Sequence, residues 1–250
     1  MPVTQSTDAA TSRYSTLAML MHWLIAALIV LQVILAGRME GRTPEAFAIV
    51  QLHKSIGITV LLLSLFRLAW RLIHPPPPMP ESLSVWERRL SHGVHWALYG
   101  VMIGMPITGW IAVSASRLDF PTLLFGVVPW PHIPGLVDLA PSAKAAWHEI
   151  GEVSHGLIIK GAYVLVGLHV AGALKHQFLS GDEPVLPRIL GGLGAQRRMD
   201  PRLLAIPIAL AGVVAFGRLY DPPRPHAAPM APAPVDEPEP APAPATTAVP

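Results

Sequence analysis

The stretch from residue 147 to residue 178 constrains the fold more than any other, because it is long, largely apolar and carries histidines at a helical spacing. His148, His155, His169 and His176 stand 7 or 14 residues apart. Seven residues make nearly two turns of an α-helix, so all four imidazoles lie on one stripe if the stretch is one helix. Imidazoles are costly in hydrocarbon and are kept there for a reason. A polar seam bonded to neighbouring backbone is the alternative, but four histidines on one stripe favour a cofactor site.

Four apolar segments, at 15–37, 47–73, 90–116 and 147–178, are long enough to cross a bilayer. Charged residues make up 14% of the chain, against about 25% in a typical soluble domain. The proline run at 75–78 ends the second segment, because proline lacks a backbone donor and disfavours helix in the residue before it. The composition predicts an all-α integral membrane protein built as a four-helix transmembrane bundle.

A fifth apolar stretch, at 203–217, is shorter than the ~17 residues that cross a bilayer comfortably. It predicts either a short fifth span, which we favour, or a helix at the membrane surface. From residue 221 onward the chain is rich in proline and alanine, which predicts a disordered or polyproline-like tail. We therefore divide the chain into an N-terminal segment (1–13), a four-helix domain (14–180), a basic linker with the fifth helix (181–220) and the tail (221–250).

The basic residues predict the orientation in the membrane. The segment before span one, the connection between spans two and three, and the segment after span four hold most of the Lys and Arg residues. Cytoplasmic loops carry an excess of these residues, so we expect a cytoplasmic N-terminus. Because membrane topology explains where the basic residues lie, the positive charge gives no reason to expect a nucleic-acid partner.

The alternating direction of the spans sets the depth of each histidine. His22 lies near the start of span one and His169 near the end of span four, so both fall at the cytoplasmic depth. His53, near the start of span two, is level with His155 at the outer depth. The two levels are ~21 Å apart along span four, at 1.5 Å per residue. The topology predicts two histidine pairs, His22 with His169 and His53 with His155.

The chain contains no cysteine, which leaves histidine as the obvious metal ligand. A pair of imidazoles in an apolar surround suits a b-type haem, whose iron takes one imidazole on each side. We expect haem b at both pairs, two per chain. Two alternative ligands stay open: His148, which would put the outer ring in the headgroup region, and His95, for which an interfacial role is favoured.

Several short motifs resemble the prokaryotic cytochrome b561 family. They are the Tyr-Ser and His-Trp pairs at 14–15 and 22–23, HKSIG at 53–57, FRLAWR at 66–71, HWALYG at 95–100, PITGW at 106–110 and LHVAGALKH at 168–176. The resemblance covers about residues 13–178. It implies a four-helix bundle of the bacterial inner membrane with two b haems, ligated by the same two histidine pairs. It also implies electron exchange with membrane quinone and, in some members, oxidation of superoxide at the outer face.

The expected function is therefore transmembrane electron transfer of the oxidoreductase type, as in a superoxide:quinone oxidoreductase. One alternative is a haem-b anchor subunit for a separate dehydrogenase or hydrogenase. Another is a haem-free transporter or scaffold, which lacks support because no broken-helix substrate site is evident apart from Pro106. Basic side chains beside the pairs are candidate contacts for quinone or haem propionates, with snorkelling to the interface as the alternative. These side chains are Lys54 and Lys160 at the outer depth, and Arg67, Arg71, Lys175 and His176 at the cytoplasmic depth.

Overall fold

A computed structural model describes residues 14–41, 43–79, 83–118, 120–179, 186–189 and 205–220. The predicted N-terminal segment, most of the basic linker and the predicted Pro/Ala tail lie outside these residues. Four long helices make up the bundle: α1 (Thr16–Ala36), α2 (Pro44–Ile73), α3 (Val85–Ser114) and α4 (Pro141–Leu174). All four are long and apolar enough to cross a membrane. The predicted all-α membrane bundle is confirmed.

Three of the helices begin earlier than the apolar segments predicted, because a polar cap or a proline starts each helix outside its apolar run. Thr43 caps α2 by accepting a hydrogen bond from the backbone N–H of Ala46, with Pro44 in the first turn. Ser84 and Glu87 form a reciprocal capping box at the start of α3. Proline also opens α4. These starts extend the helices beyond the hydrocarbon-length segments.

The predicted fifth apolar stretch forms α6 (Ala205–Leu219), after a π-helical turn at Lys175–Leu179 and a short α5 (Leu186–Ile189). The end of α6 packs on the end of α1, where a Cβ on Gly217 would lie 2.9 Å from side-chain atoms of both Leu31 and Ile34. Arg38 donates from Nη1 to the carbonyl oxygens of Gly217 and Tyr220, at 2.7 and 2.9 Å. The carboxyl ends of α1 and α6 therefore lie at the same end of the bundle.

The connection between α3 and α4 contains a β-hairpin that the sequence did not predict. Strands β1 (Thr122–Leu124) and β2 (Val128–Trp130) pair antiparallel. The hairpin packs on α2, because the backbone N–H of Phe125 donates to Ser55 Oγ at 2.9 Å and Gln51 Nε2 donates to the Pro121 carbonyl at 2.9 Å. Strands of three residues, one with a proline, carry too little alternation to be read from sequence. The hairpin covers the face of α2 that carries Gln51 and Ser55.

In the described bundle α2 packs against both α1 and α3, and α4 packs against α3. Buried apolar side chains from the first three helices form the core, including Ile25, Leu35, Ile56 and Met102. Among the described residues α4 makes its extensive contact with α3 and not with α1 or α2. The face of α4 that looks toward α1 and α2 therefore has space in front of it.

Candidate functional site

Two pairs of imidazoles face each other across the space between α4 and the first two helices. His22 of α1 and His169 of α4 have ring centroids 6.1 Å apart. His53 of α2 and His155 of α4 have centroids 6.4 Å apart. We call His22 and His169 the amino-end pair, since α1 begins there, and His53 and His155 the hairpin-end pair. The structure thus brings together the residues that the depth argument paired.

These separations match two imidazoles bound to opposite sides of one iron. A nitrogen–metal bond of about 2 Å on each side places the ring centroids about 6 Å apart. The described residues contain no group of three or more metal-ligating side chains. A metal at either pair must therefore bring its remaining ligands, as haem does with its four porphyrin nitrogens. His53 Nδ1 is buried without a hydrogen-bond partner, and nothing in the described chain lies within 4 Å of a Cβ built on Gly172, one turn from His169. The residues present fit a haem at each pair.

His155 is held in place by α3. Its Nδ1 lies 3.0 Å from the Met105 carbonyl oxygen and 3.3 Å from Thr108 Oγ1. A Cβ on Gly109 would lie 3.3 Å from His155 Cε1, so glycine lets the helix approach the ring. An Nδ1–H donated to a carbonyl fixes the tautomer and leaves Nε2 as the metal-binding nitrogen. Met105 and the PITGW motif that follows it thus orient His155, a role that the sequence did not reveal.

His148, the alternative outer ligand, uses both of its ring nitrogens elsewhere. Nδ1 lies 2.8 Å from the Ala112 carbonyl oxygen, and Nε2 lies 3.3 Å from Glu152 Oε1. Ligation by His148 would break one of these contacts, whereas His155 has Nε2 available. The geometry favours His155.

Charged and aromatic side chains surround the amino-end pair. Arg67 donates from Nη1 to the Tyr99 hydroxyl at 3.2 Å, and its Nη2 lies 3.4 Å from His22 Nδ1. Arg71 lies over the rings of Trp96 and Tyr99 at 5.7 and 5.8 Å. Of the two arginines predicted as cofactor or quinone contacts, Arg67 therefore contacts this pair directly, and Arg71 lies over the tyrosine that Arg67 contacts.

His95 lies closer to the amino-end pair than an interfacial role would require. Its ring centroid is 5.2 Å from that of His169, and its Nδ1 lies 2.6 Å from the Ser91 carbonyl oxygen. The four-residue spacing between His95 and Tyr99 was the available signal, since such residues share a helix face. His95 remains an alternative partner for His169.

The other basic residues predicted as quinone or propionate contacts lie in different parts of the described structure. Lys175 Nζ pairs with Glu87 Oε1 at 2.7 Å, which joins the end of α4 to the start of α3. Lys54 is half-buried beside His53 in sequence, Lys160 is exposed on α4, and His176 lies in the π-helical turn.

Gln32 is a residue near the hairpin-end pair that sequence reasoning missed. Its Nε2 donates to the His53 carbonyl at 3.0 Å and lies 3.2 Å from a Cβ built on Gly57. Glycine at position 57 therefore lets the Gln32 amide approach α2. A buried glutamine in an apolar segment was the sequence signal, because such an amide needs a partner.

The chain is similar to known proteins over this same bundle. Residues 13–192 match the family described as prokaryotic cytochrome b561. A probable superoxide oxidase CybB of Yersinia pestis is 30% identical over 177 residues, which is 70% of this chain and 94% of that protein. Cytochrome b561 homolog 2 of Escherichia coli strain K12 is 30% identical over 189 residues, covering 72% of this chain and 92% of the relative. Both relatives align along nearly their whole length.

Proposed function

Because the chain belongs to the prokaryotic cytochrome b561 family of membrane electron-transfer proteins, we propose that it binds two b haems and passes electrons to membrane quinone. His22 and His169 hold one haem, and His53 and His155 hold the other. Haem iron supplies reversible one-electron oxidation and reduction when bound. The observation that carries the proposal is the separation of the ring centroids, 6.1 and 6.4 Å, at two levels of one bundle.

The protein's own residues orient the histidine ligands and provide positive charge that attracts an anionic or polar redox partner. Met105 and Thr108 orient His155. Arg67 and Arg71 form a cationic rim at the amino-end pair that suits an anionic or strongly polar ligand group, such as a quinone headgroup. The relative named as a probable superoxide oxidase supports superoxide as the first donor to test. Two superoxide ions would yield two dioxygen molecules, and their two electrons with two protons would reduce one quinone to quinol.

The purified protein is expected to contain two b haems per chain and to reduce quinone when superoxide is supplied. The measurements are a dithionite-reduced minus oxidised optical spectrum with haem quantified per chain, and quinol formation during steady superoxide production. Superoxide dismutase is the control and should abolish quinol formation. One haem per chain would reject one of the two pairs, and no haem in protein made with ample haem supply would reject the proposal. Stable co-purification of a large soluble redox subunit would favour the anchor-subunit alternative.

The chain is a multi-pass inner-membrane protein, and we propose that its N-terminus is cytoplasmic and that α6 is a fifth span. Arg38 binds the end of α6, so Tyr220 should face the same side as the α1–α2 connection. Because the chain has no cysteine, single-cysteine labelling is unambiguous. A membrane-impermeant maleimide should label Glu40→Cys and Tyr220→Cys in spheroplasts, and Pro77→Cys only after lysis. Labelling of Pro77→Cys alone in spheroplasts would reverse the orientation, and protection of Tyr220→Cys until lysis would reject a spanning α6.

A further inference from the structure

The two histidine pairs differ in what lies beside the Nδ1 atom of one of their rings. At the amino-end pair that neighbour is a cation: Arg67 Nη2 lies 3.4 Å from His22 Nδ1. A guanidinium has five N–H donors and no acceptor, and it stays charged in proteins. It cannot accept the Nδ1 proton that a ligating imidazole keeps. Arg67 therefore acts on His22 through its positive charge.

That charge is not neutralised by an ion pair in the described part of the chain. The ion pairs His148–Glu152 and Lys175–Glu87 do not include Arg67. Arg67 instead contacts the Tyr99 hydroxyl and ring, and its Nε is buried without a hydrogen-bond partner. The half-buried position between helices weakens screening by water. A full positive charge therefore stands next to a proposed iron ligand.

The hairpin-end pair has the opposite neighbour. His155 Nδ1 meets the negative end of a carbonyl dipole, at Met105, together with the Thr108 hydroxyl. Donation to a carbonyl makes a ligating imidazole more basic and favours ferric iron. A nearby cation disfavours ferric iron, because ferric iron carries one more positive charge than ferrous iron. The two sites are therefore biased in opposite directions.

We infer that Arg67 is a positioning residue for redox potential: it raises the reduction potential of the haem at the amino-end pair above that at the hairpin-end pair. This inference rests on the proposed two-haem function and adds a direction to it. Electrons entering at the hairpin end move toward the amino end, where the cationic rim lies. The hairpin end receives the donor and the amino end serves the quinone.

The test is a potentiometric titration of the reduced haem spectrum in purified full-length variants. In the His53→Ala background, which keeps only the amino-end pair, Arg67→Gln should lower the equilibrium constant for haem reduction at least tenfold, about 59 mV for a one-electron couple. Arg67→Lys keeps the charge and should shift the potential far less. Arg71→Gln removes the same charge one turn further along α2, over Trp96 and Tyr99, and should lower the potential less than Arg67→Gln does.

A second comparison does not depend on replacing Arg67. His53→Ala, which retains the amino-end pair, should have a higher potential than His22→Ala, which retains the hairpin-end pair. Equal or reversed potentials would overturn the inference, as would an Arg67→Gln variant that retains haem at an unchanged potential. Reduced haem retention at an unchanged potential would mean that Arg67 binds a haem propionate instead of tuning the potential, and would also overturn the inference. Absence of haem from the parent protein would instead reject the proposed function.

Discussion

Replacing His155 with alanine is expected to remove about half of the haem b absorbance, whereas replacing His148 should leave both haems in place. His155 faces His53 with ring centroids 6.4 Å apart and has Nε2 available. Without the His155 imidazole, one protein ligand would remain for the iron, and an alanine side chain cannot supply the second. The measurement is haem content per chain together with the reduced spectrum at low temperature, where two haem environments separate into distinct bands.

His148→Ala is the matched control because it lies on the same stripe of α4 and loses hydrogen bonds of its own. Its contacts with the Ala112 carbonyl and Glu152 are expected to contribute about 1 kcal/mol each at most. The variant should therefore show a small loss of stability with two haems retained. Haem loss in His148→Ala but not in His155→Ala would exchange the two assignments and move the outer haem toward the membrane surface.

The histidine stripe could be read from sequence because it depends on two regular quantities, helix periodicity and the alternation of membrane spans. Residues 7 or 14 apart share a face, and the direction of each span fixes their depth. Together these place His169 opposite His22 without any knowledge of loops. The apolar stretch at 203–217 predicted α6, whose bounds Ala205–Leu219 lie close to it.

The parts that sequence reasoning missed depend on contacts between elements that no period encodes. Thr108 and the Met105 carbonyl reach His155 because α3 packs closely against α4. Gln32 reaches the His53 carbonyl from another helix. Arg67 looked equally consistent with snorkelling, and its neighbour His22 became visible only in the packed bundle. Long-range polar contacts of this kind depend on how the helices pack, which no local sequence pattern specifies.

The crossing of α3 and α4 leads to the second large effect, at Gly151. A Cβ at this position would lie 2.7 Å from the backbone nitrogen and 2.9 Å from the Cα of Ala112. Backbone atoms cannot rotate away as a flexible side chain can, so the two helices must separate. We expect Gly151→Ala to lower the free energy of unfolding by about 1–3 kcal/mol, the range for overpacking a close contact. Because His155 follows one turn later, loss of the hairpin-end haem should accompany the lower melting temperature.

Gly167→Ala separates this steric effect from the intrinsic preference of the helix. Gly167 lies on the same helix, is exposed and has nothing within 4 Å of a built Cβ. Alanine favours a helix over glycine by up to about 1 kcal/mol, so this variant should be as stable as the parent or more stable, with both haems bound. The opposite signs of the two identical substitutions would trace the loss at Gly151 to the close approach of α3. An equal rise in melting temperature for both variants would contradict the close approach of Gly151 to Ala112, where a built Cβ lies 2.7 Å from the backbone nitrogen. It would also mean that the position of His155 does not depend on this crossing.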